Sequence, residues 1–238
     1  MGDAIELDDV RTWPECLQQR FAEPSSELAP LTDELLVELL EGRPLRMYHA
    51  TRLLPHEVDR IKAEGLLRLT HELVQSKLDD AVRVGAMTEA QAVEARAGSI
   101  IETKYEGRRE GQVCFVLSLD KFEHSPGDVG PLLSSWGGES IYHVAALDPP
   151  RRALMRSLGL PSIVAADVPL STPLPYTSPS LSSVIAWHAR PRETLGNETP
   201  RSSADVFLTA DVPAANIATI WQAGSPEYDR FEGLPSGN

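Results

Sequence analysis

The stretch that most constrains this chain is Met47-Tyr48-His49-Ala50-Thr51-Arg52-Leu53-Leu54, which runs directly into Pro55-His56-Glu57-Val58-Asp59-Arg60-Ile61-Lys62-Ala63-Glu64-Gly65-Leu66. The first half reads as a short strand ending on polar residues, and the second has the parts of a helix. Proline stands near the first turn, where its missing N–H costs nothing. Two acids follow early, where the positive end of a helix favours them. Val58 and Ile61 share a face, and Gly65 is placed to stop the helix in a left-handed conformation. Proteins that mix strands and helices tend to put ligand contacts at such a strand end. Two readings of His49 stand at this point: a ligand contact, or a half-buried strand residue satisfied by a backbone carbonyl.

The rest of the chain is assigned by the same signals. A short helix is predicted around Cys16–Phe21, then a loop. A second helix follows Thr32, which can cap it, with Leu35, Leu36, Leu39 and Leu40 as its apolar stripe and Gly42 as its stop. Residues 71–104 carry two polar helices, the second opened by the capping box Thr88-Glu89-Ala90-Gln91. The run Gln112–Leu119 is apolar and rich in strand formers. Further strands are expected at Ser140–Leu147, Ser162–Val168, Val184–His188, Asp205–Thr209 and Ile217–Gln222. Prolines between 169 and 183 forbid regular helix there, and 189–204 read as a polar loop. This order predicts an α+β fold. Its parts are an N-terminal helical segment over 1–44 packed on the core, a domain over 45–223 with a helical insertion at about 71–104, and a loose tail over 224–238.

Composition narrows the function classes. Lys+Arg 22 against Asp+Glu 35 leaves a formal net charge of −13, which disfavours tight non-specific binding to a polyanion. Arg151, Arg152 and Arg156 form the densest basic cluster, and a solvated helix face explains it better than a nucleic-acid contact does. Two cysteines, Cys16 and Cys114, lack metal-ligand spacing. The N-terminal stretch is acidic and carries no secretion signal, and no run reaches membrane-span length. The expectation is a reduced, cytoplasmic setting without a membrane partner.

The familiar nucleotide, metal and nucleophile motifs are missing. The six histidines are scattered, with no helical pair to hold a metal, so a metal-independent site is expected. What stands out is Trp136-Gly137-Gly138-Glu139. Two glycines let backbone approach a ligand closely, the tryptophan can stack on a flat ring, and the acid then opens the expected strand. The plainer reading is a turn with a core tryptophan and a solvated carboxylate.

Tyr48-His49-Ala50-Thr51, followed by a helix and then Gly65-Leu66, resembles the first motif of the ADP-ribosyltransferase superfamily. The likeness is to the branch with an H-x-T strand start, which includes DarT-like toxins and is similar to the H-Y-E group. The resemblance implies split antiparallel β-sheets with a helical insertion after the first strand. It also implies transfer of ADP-ribose from NAD, a co-substrate, to RNA, DNA or protein by a toxin or phage-defence effector, with an antitoxin as a possible partner. His49 and Thr51 would grip the nicotinamide ribose, and Glu139 would be the catalytic carboxylate beside His49. Ser118, on the Val113–Ser118 strand, would supply the second motif. Tyr48 or Trp136 would stack, Gly138 would approach the cofactor, and Arg52 would meet its pyrophosphate. Gly137 stands where the arginine-modifying subtype carries an acid or amide, so the acceptor stays open. Two alternatives use the same scaffold: a non-catalytic nucleotide- or partner-binding module, and an NAD glycohydrolase.

Overall fold

The spine of the molecule is the strand β1 (Leu45–Leu53). In the computed structural model, which describes residues 3–22, 31–40, 42–102, 109–145, 148–170, 176–189 and 205–237, β1 pairs along its whole length with β3 (Leu160–Val168). On its other edge it meets β2 (Val113–Val116) at one register pair, Tyr48 opposite Val116. The strands β4 (Tyr176–Ser178), β5 (Asp205–Leu208) and β6 (Ile217–Gln222) complete a six-stranded sheet in the order β4-β5-β2-β1-β3-β6, with every pair antiparallel.

Alternation along β1 divides the core. Leu45, Met47 and Leu53 enter a cluster with Val164, Ala166 and Phe115 on one face. That face is covered by α1 (Glu15–Ala22), α2 (Asp33–Leu39), α3 (Pro55–Glu64) and α10 (Leu181–His188), which contribute Leu17, Leu36, Ile61 and Ile185. Tyr48 and Ala50 point the other way, toward Phe122 of α6 (Asp120–His124) and Leu133 of α7 (Pro126–Ser134). A third cluster lies among α4 (His71–Arg83), α5 (Glu89–Ala97), α8 (Gly138–Ala145) and α9 (Pro149–Ser157), around Leu78, Ile141 and Met155. The N-terminal segment is tied to the sheet by an isolated bridge between Ile5 and Leu45 and by Arg46, which pairs with both Glu6 and Asp167.

The fold is α+β, with the two helices α4 and α5 inserted between β1 and β2. Where two split sheets were expected, the strands of the described residues form one sheet, thinnest between β1 and β2. Ser140–Ala145, read as strand, belongs to the helix α8, and the expected residues 146 and 147 lie outside the described residues. Gly137 has φ +88°, a Cβ there would fall 2.6 Å from Ile141, and Ser140 Oγ donates to Gly137 O at 2.6 Å, so the chain turns and coils at once. Val184–His188 is likewise the second half of a helix, opened by Ser180, whose hydroxyl accepts from Ser183 N. Both are short apolar runs, whose periodicity does not separate buried strand from buried helix. The tail, read as loose, instead contributes to the Tyr48 cluster buried Tyr228, from α11 (Pro226–Asp229), and Phe231 just past it. No helix among the described residues is long and apolar enough to cross a membrane.

Gly65 ends α3 as expected and has φ +92°. A Cβ at this position would lie 1.9 Å from the Val212 carbonyl oxygen, which accepts from Leu66 N at 2.9 Å. Gly65→Ala therefore both strains the backbone and displaces the Leu66–Val212 bridge. A loss of roughly 3 kcal/mol or more is expected in urea unfolding.

Candidate functional site

Beyond Tyr48–Val116 the strands β1 and β2 part, and a cavity of about 490 Å³ opens between them. Its wall includes His49 and Thr51 from β1, Cys114 and Phe115 from β2, Ile61 from α3, and Gly137, Gly138 and Glu139 at the start of α8. This is within the volume range of small-molecule sites, roughly 300–1,000 Å³.

His49 is half-buried and holds its ring by a 2.7 Å hydrogen bond between Nδ1 and the Cys114 carbonyl oxygen. A carbonyl only accepts, so Nδ1 carries the proton and Nε2 is left as an acceptor. Burial, opposed by the Cys114 carbonyl and aided by the charge of Lys77, holds the imidazole below its ordinary 6.5. The ring is therefore neutral at pH 7, the form that can accept a hydrogen bond from a hydroxyl. Both readings of His49 meet here: a backbone carbonyl satisfies one nitrogen and the residue also lines the cavity.

Glu139 stands in the first turn of α8, and its Oε2 accepts from Arg109 Nε at 3.0 Å. The Arg109 guanidinium also lies over the Phe207 ring, 4.2 Å from its centroid. A planar cation is thus held between an aromatic face and a carboxylate inside the cavity wall. Gln112 adds a buried Oε1 with no hydrogen-bond partner among the described residues, an acceptor available to a donor in the cavity.

The cavity rim is fixed by Glu57. Its carboxylate accepts from Leu54 N at 2.8 Å and from Trp136 Nε1 at 2.7 Å, and it pairs with Lys77 at very short range. Burial alone would raise its pKa, but Lys77, the Leu54 amide and the Trp136 indole outweigh that and hold it below the ordinary 4.5. Lys77 lies on the cavity wall with Arg60, which bonds Ser76 Oγ at 2.8 Å and faces Asp80 at 3.7 Å.

The structure thus brings His49, Thr51, Gly138 and Glu139 to one cavity and sets four other candidates aside. Tyr48 touches the wall, but its ring stacks on Trp221 at 5.9 Å in the cluster on the opposite sheet face. Arg52 is buried, donates to the Leu158 carbonyl at 2.6 Å and lies outside the cavity wall, so it does not serve a pyrophosphate there. Ser118 is fully buried and donates to Asp8. Trp136, also fully buried, spends its N–H on Glu57, and stacking on a ligand is closed to it. Sequence reasoning missed Glu57 as a cavity residue, along with Lys77, Arg109, Gln112 and Phe207. Glu57 carried a signal as an early helical acid, but its partners lie 20 and 79 residues away and no local pattern announces them. No protein-family model, curated protein or solved structure matches the chain.

Because Glu57 and His49 both have lowered pKa values, the unfolded chain binds more protons than the folded one once the pH drops. Their contributions are fully present above the ordinary values and are lost as the pH falls. Stability should therefore decline below about 6.5 and again below about 4.5, the first decline shrinking in His49→Gln and the second in Glu57→Gln. At pH 7, Glu57→Gln should cost roughly 3 kcal/mol, because it leaves Lys77 beside a neutral amide. Urea unfolding across pH reads all three effects.

Proposed function

We propose that the cavity binds NAD⁺ and that the protein is an NAD⁺-dependent ADP-ribosyltransferase acting on a macromolecular acceptor, a nucleic-acid base or a protein side chain. The observation that carries this reading is that His49 and Glu139, distant in sequence, line the same cavity where β1 and β2 part. Nicotinamide leaves when the bond from its ring nitrogen to the ribose C1′ breaks and the electron pair stays on the nitrogen. Positive charge then develops on the ribose, and a carboxylate fixed beside it stabilises it. Glu139 supplies that carboxylate. The acceptor nucleophile bonds to C1′ and gives up its proton to solvent.

The other residues fit the same task. Nε2 of neutral His49 accepts from a ribose hydroxyl, with Thr51 beside it. The Phe207 face and the Glu139 carboxylate that now hold the Arg109 guanidinium suit another planar cation, the nicotinamide ring. Gln112 Oε1 can accept from a carboxamide N–H. Lys77 and Arg60 offer positive charge to the pyrophosphate, the role read from sequence for Arg52.

The test is incubation with NAD⁺ labelled on the adenosine side and separate pools of RNA, DNA and protein. One pool should take label. Glu139→Gln should retain the wild-type melting temperature and lose at least about 10²-fold in transfer, and His49→Ala should also lose activity. Full transfer by Glu139→Gln would overturn the assignment. Nicotinamide release without label in any pool would make the protein a glycohydrolase, and NAD⁺ affinity without release would make it a binding module.

A further inference from the structure

Ser118 leads away from the cavity to a second group of side chains. Asp8 precedes α1, Asp120 opens α6 and His188 closes α10, so three segments far apart in sequence meet. One ligand atom from each lies within 4.8 Å of the other two. The His188 and Asp8 side chains are 5% and 18% exposed, and Asp120 is 6% exposed.

His188 Nδ1 stands 3.9 Å from Asp8 Oδ1. That is beyond hydrogen-bond reach. Bonds of about 2.0–2.2 Å to a first-row metal place neighbouring ligands roughly 2.8–3.6 Å apart, so an ion would draw these two atoms in by a few tenths of an ångström. Both oxygens of the Asp8 carboxylate already accept hydrogen bonds that orient it. Ser118 Oγ donates to Oδ1, Leu119 N donates to Oδ2 at 2.7 Å, and Asp120 N donates to Ser118 Oγ at 3.1 Å. Hydrogen-bonded outer partners of this kind fix the carboxylates of metal sites. Two buried carboxylates brought together gain from a cation placed between them.

We infer that Asp8, Asp120 and His188 form a binding site for one divalent first-row transition-metal ion, separate from the cavity and holding the N-terminal segment to the start of α6 and to the end of α10. One imidazole and two carboxylates suit Zn²⁺ or Mn²⁺, with water completing the coordination, whereas Ca²⁺ takes six to eight oxygens. No helical pair of histidines marks this group, because the ligands come one from each segment.

The full chain, stripped with a chelator and dialysed, is titrated calorimetrically with Zn²⁺ and separately with Mn²⁺, and its melting is followed with and without metal. With at least one of the two ions the expected result is close to one ion per chain and a melting temperature raised by roughly 5 °C or more at saturation. His188→Gln and Asp120→Asn, checked for folding by circular dichroism, should each weaken binding at least about tenfold. Glu123→Gln and His124→Gln, altering the exposed neighbouring group, should leave it unchanged. Neither ion bound by the wild-type chain, undiminished binding by His188→Gln, or binding lost through His124→Gln would each overturn the inference.

Discussion

A buried carboxylate at the head of α3 sets the positions around it. Glu57 accepts from the backbone where β1 gives way to α3, from the indole of Trp136 and from Lys77 of α4. Removing such a carboxylate from water is costly, and only several well-aimed donors offset it. Here the donors come from three segments that also pack into one apolar cluster, around Leu54, Leu78 and Trp136. Glu57 therefore fixes the end of β1 against the turn that leads into α8, and with it the separation between His49 and Glu139.

The same group explains why Trp136 serves the site indirectly. Its side chain is fully buried, with Lys77 5.3 Å from the ring centroid, and its N–H is committed. The tryptophan anchors Gly137 and Gly138, which line the cavity after it. The aromatic face inside the cavity comes instead from Phe207 of β5, a strand remote in sequence from every motif the chain displays.

What could be read from the sequence follows from how locally each feature is encoded. The caps at Thr32 and Thr88 hold their helices through contacts three residues away, and three of the later strands were legible as apolar or β-branched runs. His49 and Glu139 were legible because a strand end and a glycine pair mark positions where backbone and ligand come close. Arg52 and Ser118 misled for a common reason: a polar side chain near a site residue along the chain can point to the other side of the sheet or into an interior pair. The α8 and α10 segments were misread because five to eight apolar residues suit either a strand or a helix when both are buried. Arg109, Gln112 and Lys77 depend on tertiary proximity alone.

The single register pair between β1 and β2 has a mechanical consequence. On one side lie β4, β5 and β2, and on the other β1, β3 and β6. Along the sheet these two blades are joined at Tyr48–Val116 and by the His49 ring reaching the Cys114 carbonyl. A fully laddered sheet resists shear across every rung, but this one has a seam. Spreading the seam would bend two stiff blades about a short hinge instead of breaking a row of backbone hydrogen bonds. His49 is part of that hinge, so whatever loosens its ring also changes how far the blades can spread.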